Sequence, residues 1–353
     1  MQQQKRILIC PLDWGLGHAT RCIPIIRLLI QKNAEVIIAA DGRPFELLQQ
    51  EFPTIEIIRL KGYNIHYPKD GSMIWKMLLS IPKILKGIKT EHHALKRIIE
   101  EKKIDVVISD NRFGLWSKQV KSVFITHQLM IKSPFAEKLL HRINLHYIKK
   151  YDECWIPDAK ESTNLSGDLS HKYELPNNTF FIGPLSRFEK STSVNPQYDL
   201  MVIVSGPEPQ RTIFESMISE QASKSKLKVL IVCGTPEENK TEEKGTVKMV
   251  SHLHTDEMQQ AILNSNLIIA RSGYSTIMDL AVLGKKAIFI PTPGQTEQEY
   301  LAEMLVQKKI AYYQKQSEFN LESALIESEN YTGFYPLNGS KYNLESFVEN
   351  ILK

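Results

Sequence analysis

The chain has 353 residues, too many for one ordinary domain and comfortable for two. Its 42% hydrophobic and 24% charged residues are typical of a soluble globular protein, and a formal net charge of +4 gives no indication of nucleic-acid binding. The N-terminus lacks a long apolar signal segment, no later stretch approaches membrane-spanning length, and the four cysteines show no metal-ligand or redox spacing, so we expect a cytoplasmic protein with buried thiols.

The first predicted strand, residues 6–11, leads into a glycine loop and then a helix. Gly15 and Gly17 flank a tight turn that presents His18 at the helix N-terminus. The positive end of a helix lowers the pKa of a histidine, which favours the neutral imidazole that a general base needs. The glycine spacing does not fit a dinucleotide fingerprint. We therefore predict the opening of a doubly wound α/β domain, with His18 either a base or only a helix cap.

Two later buried strands, predicted over residues 104–109 and 122–126, end in polar residues. Asp110 follows the first strand and His127 the second. The carboxyl ends of strands in a doubly wound sheet open on one crevice, so both residues are candidates for contacting a substrate or assisting His18. Each could equally cap a loop.

The segment 73–89 combines apolar bulk with lysines and contains no acidic residue. Such a segment can lie on an anionic membrane surface. A buried helix whose lysines extend their charged ends to solvent explains the same pattern.

A run without periodicity, rich in Ser, Thr, Asn and Pro, predicts a domain boundary. We place the first domain at residues 1–188, the linker at 189–198, the second domain at 199–340 and a final helix at 341–353. Further strands are predicted over 35–39, 55–60, 153–156, 179–182, 200–204, 228–232 and 246–250.

The stretch 267–290 predicts a strand at 267–270, a turn, a helix, and another strand at 287–290. After the strand come Ser272 and Gly273, and Ser275 with Thr276 opens a helix that Gly284 ends. The glycine permits close backbone approach, while the first helical turn and the hydroxyls supply donors, so the turn favours an anion.

Two further features of this stretch point to a nucleotide-sugar. Asp279 lies one turn inside the helix, where it can accept hydrogen bonds from a ribose diol. Residues 291–299 form a predicted polar loop after a buried strand, in which Gln298 and Glu299 can read sugar hydroxyls. The alternative is an ordinary βαβ unit with a Ser/Thr cap.

These motifs resemble the C-terminal domain of glycosyltransferase family 28, the MurG-like enzymes with the GT-B arrangement that use UDP-sugars. The matching residues are Arg271-Ser272-Gly273, Thr276, Asp279, Leu280-Ala281 and Gln298-Glu299-Tyr300. Asp279 is one carbon shorter than the family's glutamate, and Glu299 replaces the second glutamine, which leaves the donated sugar open.

The resemblance implies two doubly wound domains facing a cleft, with the donor in the second. In the family's pattern Arg187 reaches the donor site, Ser205 and Gly206 stand where a loop contacts the diphosphate, and Thr255 aligns with the position that pairs with uracil. The family also carries a glycine-rich loop ending in Gly-His at the place of His18, and contacts the membrane through an apolar, basic patch of its first domain. In such transferases the final helix often packs back on the first domain.

The leading hypothesis is therefore an inverting glycosyltransferase that moves a hexose or N-acetylhexosamine from a UDP-sugar to a glycan or lipid-linked acceptor. His18 would act as the base with Asp110 assisting, no Asp-x-Asp triplet calls for a metal, and no cofactor besides the UDP-sugar is implied. The protein would be cytoplasmic, with peripheral membrane contact through 73–89. The pattern Gly-His-x-x-Arg, which ends at Arg21, is more similar to that of the UDP-sugar hydrolase of pseudaminic acid synthesis. A UDP-sugar hydrolase is therefore the second hypothesis, and a non-catalytic nucleotide-sugar-binding protein is the third.

Overall fold

A computed structural model describes residues 4–62, 73–132, 137–161, 163–191, 196–335 and 344–353, and of helix residues 73–81 it describes only the backbone. The described residues form two compact units. The first contains the residues up to Leu185 together with the C-terminal helix, and the second runs from Ser186 to residue 335.

The first unit is a parallel sheet of seven strands in the order β3-β2-β1-β4-β5-β6-β7. Most of these strands are apolar on both faces, as expected of a sheet covered by helices on both sides. The strands are β1 (Arg6–Pro11), β2 (Glu35–Ala40), β3 (Glu56–Arg59), β4 (Val106–Asp110), β5 (Lys121–Ile125), β6 (Glu153–Ile156) and β7 (Thr179–Phe181). The helices are α1 (Leu16–Gln31), α2 (Gly42–Glu51), α3 (Met73–Lys102), α4 (Glu137–Ile148) and α5 (Asp168–His171).

The strand order of the first unit contains a topological switch. The chain runs from β1 outward to β3 and then returns to the other side of β1 as β4. Pro11 at the end of β1 pairs with Asp110 at the end of β4. Ligands of such sheets bind where the order reverses, because the connections there leave the strand ends in opposite directions.

The second unit is also a sheet of seven strands, in the order β10-β11-β9-β8-β12-β13-β14, and its switch lies between β8 and β12. The strands are β8 (Tyr198–Ile203), β9 (Val229–Val232), β10 (Thr241–Lys244), β11 (Val247–Val250), β12 (Ser265–Ala270), β13 (Ala287–Phe289) and β14 (Tyr312–Tyr313). The helices are α6 (Gln210–Lys224), α7 (Thr255–Leu263), α8 (Tyr274–Leu283), α9 (Thr296–Gln307) and α10 (Leu321–Ser328), with a 3₁₀ turn at Gln316–Glu318.

The hairpin strand β10 is antiparallel to β11 and is absent from the sequence-based prediction. All four of its residues are exposed and none is strongly apolar. Neither an alternation of apolar and polar residues nor an apolar run therefore indicates a strand in the sequence. The strands that are predicted from apolar runs agree with the structure to within one or two residues.

The final helix, α11 (Leu344–Leu352), belongs to the first unit. It buries Val348 and Ile351, and its Glu349 accepts a hydrogen bond of 2.6 Å from Lys32 at the end of α1. The predicted range for this helix began at residue 341, and residues 341–343 lie outside the described part of the chain, as do 192–195 of the predicted linker. No helix among the described residues is long and apolar enough to cross a membrane.

Candidate functional site

The switch point of the first unit carries a histidine–aspartate pair. His18 is the third residue of α1, and Asp110 is the last residue of β4. His18 Nδ1 lies 2.8 Å from Asp110 Oδ1, with the carboxylate fully buried and the imidazole 18% exposed. Because a carboxylate only accepts hydrogen bonds, this contact requires a proton on Nδ1 and leaves the lone pair of a neutral imidazole on Nε2. The pairing of β1 with β4 thus brings together the two residues that are predicted as catalytic.

Arg21 completes this cluster from the next turn of α1. Its Nε and Nη2 both donate to the Asp110 carboxylate, and its Nη1 lies 2.9 Å from His127 Nδ1. The guanidinium is 1% exposed and His127 is 4% exposed. Arg21 is predicted from sequence only as part of a resemblance, although its i,i+3 spacing from His18 already places both on one helix face.

The cluster perturbs the ionisation of both catalytic candidates. Burial opposes ionisation of Asp110, but the charges of Arg21 and His18 outweigh it and lower the pKa of this carboxyl to about 2. Burial, and next the charge of Arg21, lower the pKa of His18, while Asp110 acts in the opposite direction. The pKa of His18 is therefore lowered as predicted, and burial and the charge of Arg21 are its largest causes.

Asp13 is a further acidic residue at this strand end that the sequence analysis did not single out. Burial raises the pKa of its carboxyl above the ordinary value. The carboxyl lies directly against Gly62, where an added Cβ would be 2.1 Å from Asp13 Oδ1 and would displace the carboxylate. Oδ1 is buried and has no hydrogen-bond partner among the described residues. Gly15, by contrast, borders open space, since a Cβ there would meet nothing within 4 Å.

Helix α3 packs its inner face beside this loop. Ile84 and Ile88 pack with Trp14, which follows Asp13 in the loop, and with Tyr147 of α4. Of the predicted segment 73–89, the side chains of 73–81 lie outside the described part of the chain, and from 82 onward the outer face exposes Leu85, Lys86 and Lys89. From residue 82 onward, the inner face of α3 is therefore apolar, and the exposed outer face carries lysines and Leu85.

In the second unit, the turn after β12 is built as a helix N-terminus. Helix α8 begins at Tyr274 with Gly273 as its N-cap, so the helix starts one residue before the predicted Ser275, and Ser275 and Thr276 lie in its first turn. An added Cβ at Gly273 would meet no heavy atom within 4 Å, so the space beside the turn is open. Ser272 is fully buried, and its hydroxyl donates to the Gln298 carbonyl at 2.8 Å. The backbone of this turn, not the Ser272 hydroxyl, is what can meet an anion.

The predicted polar loop 291–299 is wrong in its second half, because α9 begins at Thr296. Glu297 and Glu299 in the first turn favour a helix N-terminus, which the loop-like composition conceals. Gln298 accepts a hydrogen bond from Thr292 N at 2.8 Å, and Glu299 accepts one from Gly294 N at 3.2 Å. In this structure, both side chains therefore brace the short loop in front of the helix.

Asp279 lies in α8 and interacts with the segment that follows Leu185. Ser186 donates to its Oδ1 at 2.7 Å, and Arg187 Nε lies 3.7 Å from its Oδ2. Burial raises the pKa of this carboxyl to about 6, against the opposing charge of Arg187. The structure thus brings the predicted Arg187 and Asp279 together.

Arg271, the arginine of the matched motif, is a buried cation with neutral partners. It is 1% exposed, donates to the carbonyls of Ile290, Pro291 and Gln210, and lies 4.2 Å over the ring of Phe214. Burial lowers the pKa of this guanidinium to about 9. Arg271 therefore ties the loop after β13 to the start of α6.

The loop after β8 contains Ser205 and Gly206, and a Cβ at Gly206 would lie 3.6 Å from Thr292 Oγ1. At the end of this loop, Glu208 accepts hydrogen bonds from Thr212 Oγ1 at 2.8 Å and from Arg211 Nε at 2.6 Å. A carboxylate therefore lies against the first turn of α6.

Thr255 is the first residue of α7 and is buried, with 2% of the residue exposed. Among the described residues, no group of three or more His, Cys, Asp or Glu side chains is placed to hold a metal ion.

Comparison with known proteins identifies similar chains and folds. Residues 200–331 match the glycosyltransferase family 28 C-terminal domain. An uncharacterized glycosyltransferase of Methanosarcina acetivorans is 25% identical over 357 residues, covering 92% of this chain and 91% of that protein. The UDP-N-acetylglucosamine–N-acetylmuramyl-(pentapeptide) pyrophosphoryl-undecaprenol N-acetylglucosamine transferase of Corynebacterium diphtheriae is 23% identical, covering 87% of this chain and 82% of that protein. The crystal structure of MurG from Acinetobacter baumannii superposes with a TM-score of 0.56 at 13% identity, over 98% of this chain and 99% of that one, which confirms the predicted fold class.

Proposed function

Because the chain is a glycosyltransferase with a family 28 C-terminal domain, we propose that it transfers a hexose or N-acetylhexosamine from a UDP-sugar to a glycan or lipid-linked acceptor, with inversion and without a metal. The observation that carries the proposal is the His18–Asp110 hydrogen bond at the switch point of the first unit. It leaves the His18 Nε2 lone pair to act on a hydroxyl proton.

The proposed reaction is a single displacement. The acceptor oxygen attacks the anomeric carbon, the bond from that carbon to the diphosphate oxygen breaks, and UDP leaves with the bonding electron pair. His18 Nε2 takes the hydroxyl proton, and Asp110 stabilises the imidazolium that forms. Attack from the side opposite the leaving group inverts the configuration at that carbon.

The second unit would bind the donor. The first turn of α8 at Gly273–Thr276 would stabilise the charge that grows on the diphosphate, Asp279 would accept hydrogen bonds from the ribose, and the Thr255 backbone would meet the base. Arg187 would hold Asp279 ionised, and Ser205 and Gly206 would border the diphosphate. Gln298 and Glu299 would act through the loop that they brace, which would meet the sugar.

The first unit would bind the acceptor at a membrane surface. The outer face of α3 exposes Leu85 between lysines, and α4, which meets α3 at Tyr147, exposes Leu139 and Ile143. Apolar side chains among basic ones suit an anionic lipid surface, where each lysine contributes about 1 kcal/mol of binding. This supports a lipid-linked acceptor and a peripheral position on the cytoplasmic face of the membrane.

The decisive experiment measures UDP release from a panel of UDP-sugars with and without membrane lipid extract. Release that requires the extract, together with a new sugar-bearing lipid, is the expected result. Release from one donor in buffer alone would replace the proposal by a UDP-sugar hydrolase, the reaction that the Gly-His-x-x-Arg pattern favours. UDP binding without turnover of any donor would contradict both enzymes.

A further inference from the structure

We propose that Arg21 is a positioning residue that fixes His127 with its proton on Nε2 and keeps His18 neutral while Asp110 holds the His18 proton on Nδ1. One guanidinium contacts all three other members of the cluster. The consequence for catalysis rests on the proposed role of His18 as the base, whereas the tautomers themselves do not.

The tautomer of His127 follows from the chemistry of arginine. Arg21 Nη1 lies 2.9 Å from His127 Nδ1. A guanidinium has hydrogen-bond donors and no acceptor, so Nδ1 must accept and cannot carry a proton. His127 is then neutral, with its proton on Nε2. An imidazolium at this position would direct an N–H at the arginine inside a buried site.

The tautomer of His18 follows from the carboxylate. Its Nδ1 is 2.8 Å from Asp110 Oδ1 and 2.9 Å from Arg21 Nη2, so two neighbours compete for one nitrogen. Nη2 already donates to Asp110, whereas Oδ1 would face a lone pair if Nδ1 were unprotonated. The arrangement that satisfies both groups has the proton on His18 Nδ1 and an acceptor at Nε2.

Arg21 also balances the charge that surrounds His18. Asp110 from β4 and Asp13 from the preceding loop favour the imidazolium, while burial and the Arg21 guanidinium from α1 oppose it and the neutral His127 after β5 adds no charge. A carboxylate beside the ring favours the imidazolium, which cannot act as a base. With the guanidinium on the same carboxylate, His18 keeps its hydrogen bond and stays neutral. Arg21 thus allows Asp110 to orient the His18 imidazole without causing the imidazole to be protonated.

The test uses histidine-labelled protein and two-bond ¹H–¹⁵N NMR spectra, which distinguish the two neutral tautomers and follow their titration. At pH 7 the wild-type protein should show His18 protonated on Nδ1 and His127 on Nε2. Finding His127 as the Nδ1–H tautomer or as an imidazolium would overturn the proposal without any variant.

Three variants separate charge from geometry. Arg21→Met should release His127 into a mixture of tautomers and raise the titration midpoint of His18 by about one pH unit or more, because only burial then opposes the effect of Asp110. Arg21→Lys should release His127 in the same way but keep the His18 midpoint near that of the wild type. The matched control is Arg27→Met on the same helix, whose guanidinium pairs with Glu51 and is 38% exposed, and it should change neither histidine.

Activity provides a second measurement. The acid limb of kcat/KM should move to higher pH in Arg21→Met by the same amount as the His18 midpoint, and unchanged histidine spectra in that variant would contradict the proposal. If Arg21→Met does not fold, the wild-type spectrum and Arg21→Lys still decide. A protein that shows the expected tautomers but turns over no UDP-sugar would contradict the proposed function alone.

Discussion

The switch points of the two sheets occupy the same place in the topology but are built from different chemistry. In the first unit, four side chains meet at the strand ends: His18, Arg21, Asp110 and His127. In the second unit, the corresponding turn offers the backbone of a helix N-terminus, and the nearby side chains are used to brace loops. The difference indicates that the parallel sheet determines where a ligand binds, while local side chains determine whether protons move there or an anion is held.

The largest effect should come from removing the buried carboxylate of the first unit. Asp110→Ala should lower the free energy of unfolding by about 3–5 kcal/mol, because it leaves the Arg21 guanidinium buried without its partner. All four tryptophans lie between residues 14 and 155, so tryptophan fluorescence during urea unfolding reports on this unit.

The control is Asp168→Ala, which removes an exposed ion pair with Lys132 and should cost no more than about 1 kcal/mol. Equal destabilisation in the two variants would show that the cluster is not the tightly coupled network described above.

His18→Ala tests the chemistry of the same switch point. We expect kcat to fall about a hundredfold or more, the loss of about 2.7 kcal/mol of transition-state stabilisation, with UDP affinity nearly intact because the donor is proposed to bind the second unit. Steady-state kinetics and calorimetric UDP binding measure the two quantities. His93→Ala, which removes an exposed histidine of α3, should leave both unchanged. Full turnover in His18→Ala would contradict the proposed role of His18 as the general base.

The raised pKa of Asp279 predicts that the affinity of the second unit for a UDP-sugar depends on pH. Its pKa of about 6 means that the carboxyl is mostly ionised at pH 7 and mostly protonated at pH 5. If the ionised form accepts the ribose hydrogen bonds, UDP-sugar affinity should fall about tenfold between those pH values. Asp279→Asn should bind weakly with no such dependence, and the exposed-site control Glu303→Gln should behave as the wild type. A flat profile in the wild-type protein would exclude the ribose role.

The raised pKa of Asp279 also makes the stability of the folded protein depend on pH. Because the pKa of Asp279 is raised in the folded protein, its contribution to stability falls as pH rises from about 4 through 6. Asp110 acts in the other direction, since its lowered pKa makes the folded state lose stability as pH falls from about 4 towards 2.

The smallest effect should come from Ser272, and it sharpens the contrast between the units. Its hydroxyl contacts the Gln298 carbonyl, so Ser272→Ala should cost about 1 kcal/mol of local stability and change kcat/KM by only a few fold. Hydrogen exchange over residues 265–305 measures the first effect. The control is Ser223→Ala on the exposed face of α6, whose hydroxyl donates to the Glu220 carbonyl at 2.9 Å, and it should leave kcat/KM unchanged. A large loss of kcat/KM in Ser272→Ala without loss of protection would show that this hydroxyl contacts the donor after all.

The strand–turn–helix units could be predicted from sequence because each rests on a local signal. Buried apolar runs predict β1, β4 and β12, and Gly284 ends α8 in the left-handed conformation that a C-terminal glycine provides. The start of α9 could not be predicted in this way, because the Gly, Pro and Gln residues before it are typical of a loop. Only the contacts of Gln298 and Glu299 with that loop show where the helix begins.

The sequence by itself determined which residues follow the strands, namely His18 after β1, Asp110 and His127 after β4 and β5, and the Ser272–Gly273 turn after β12. The tertiary structure decided what those residues do to one another. Strand order places β1 beside β4, which brings His18 within 2.8 Å of an aspartate 92 residues away. It also gives Arg21 a buried carboxylate and a second histidine as partners, and gives Asp279 a buried setting that raises its pKa. Spacing along the chain fixes local geometry, whereas burial and the pairing of distant charges depend on the fold as a whole.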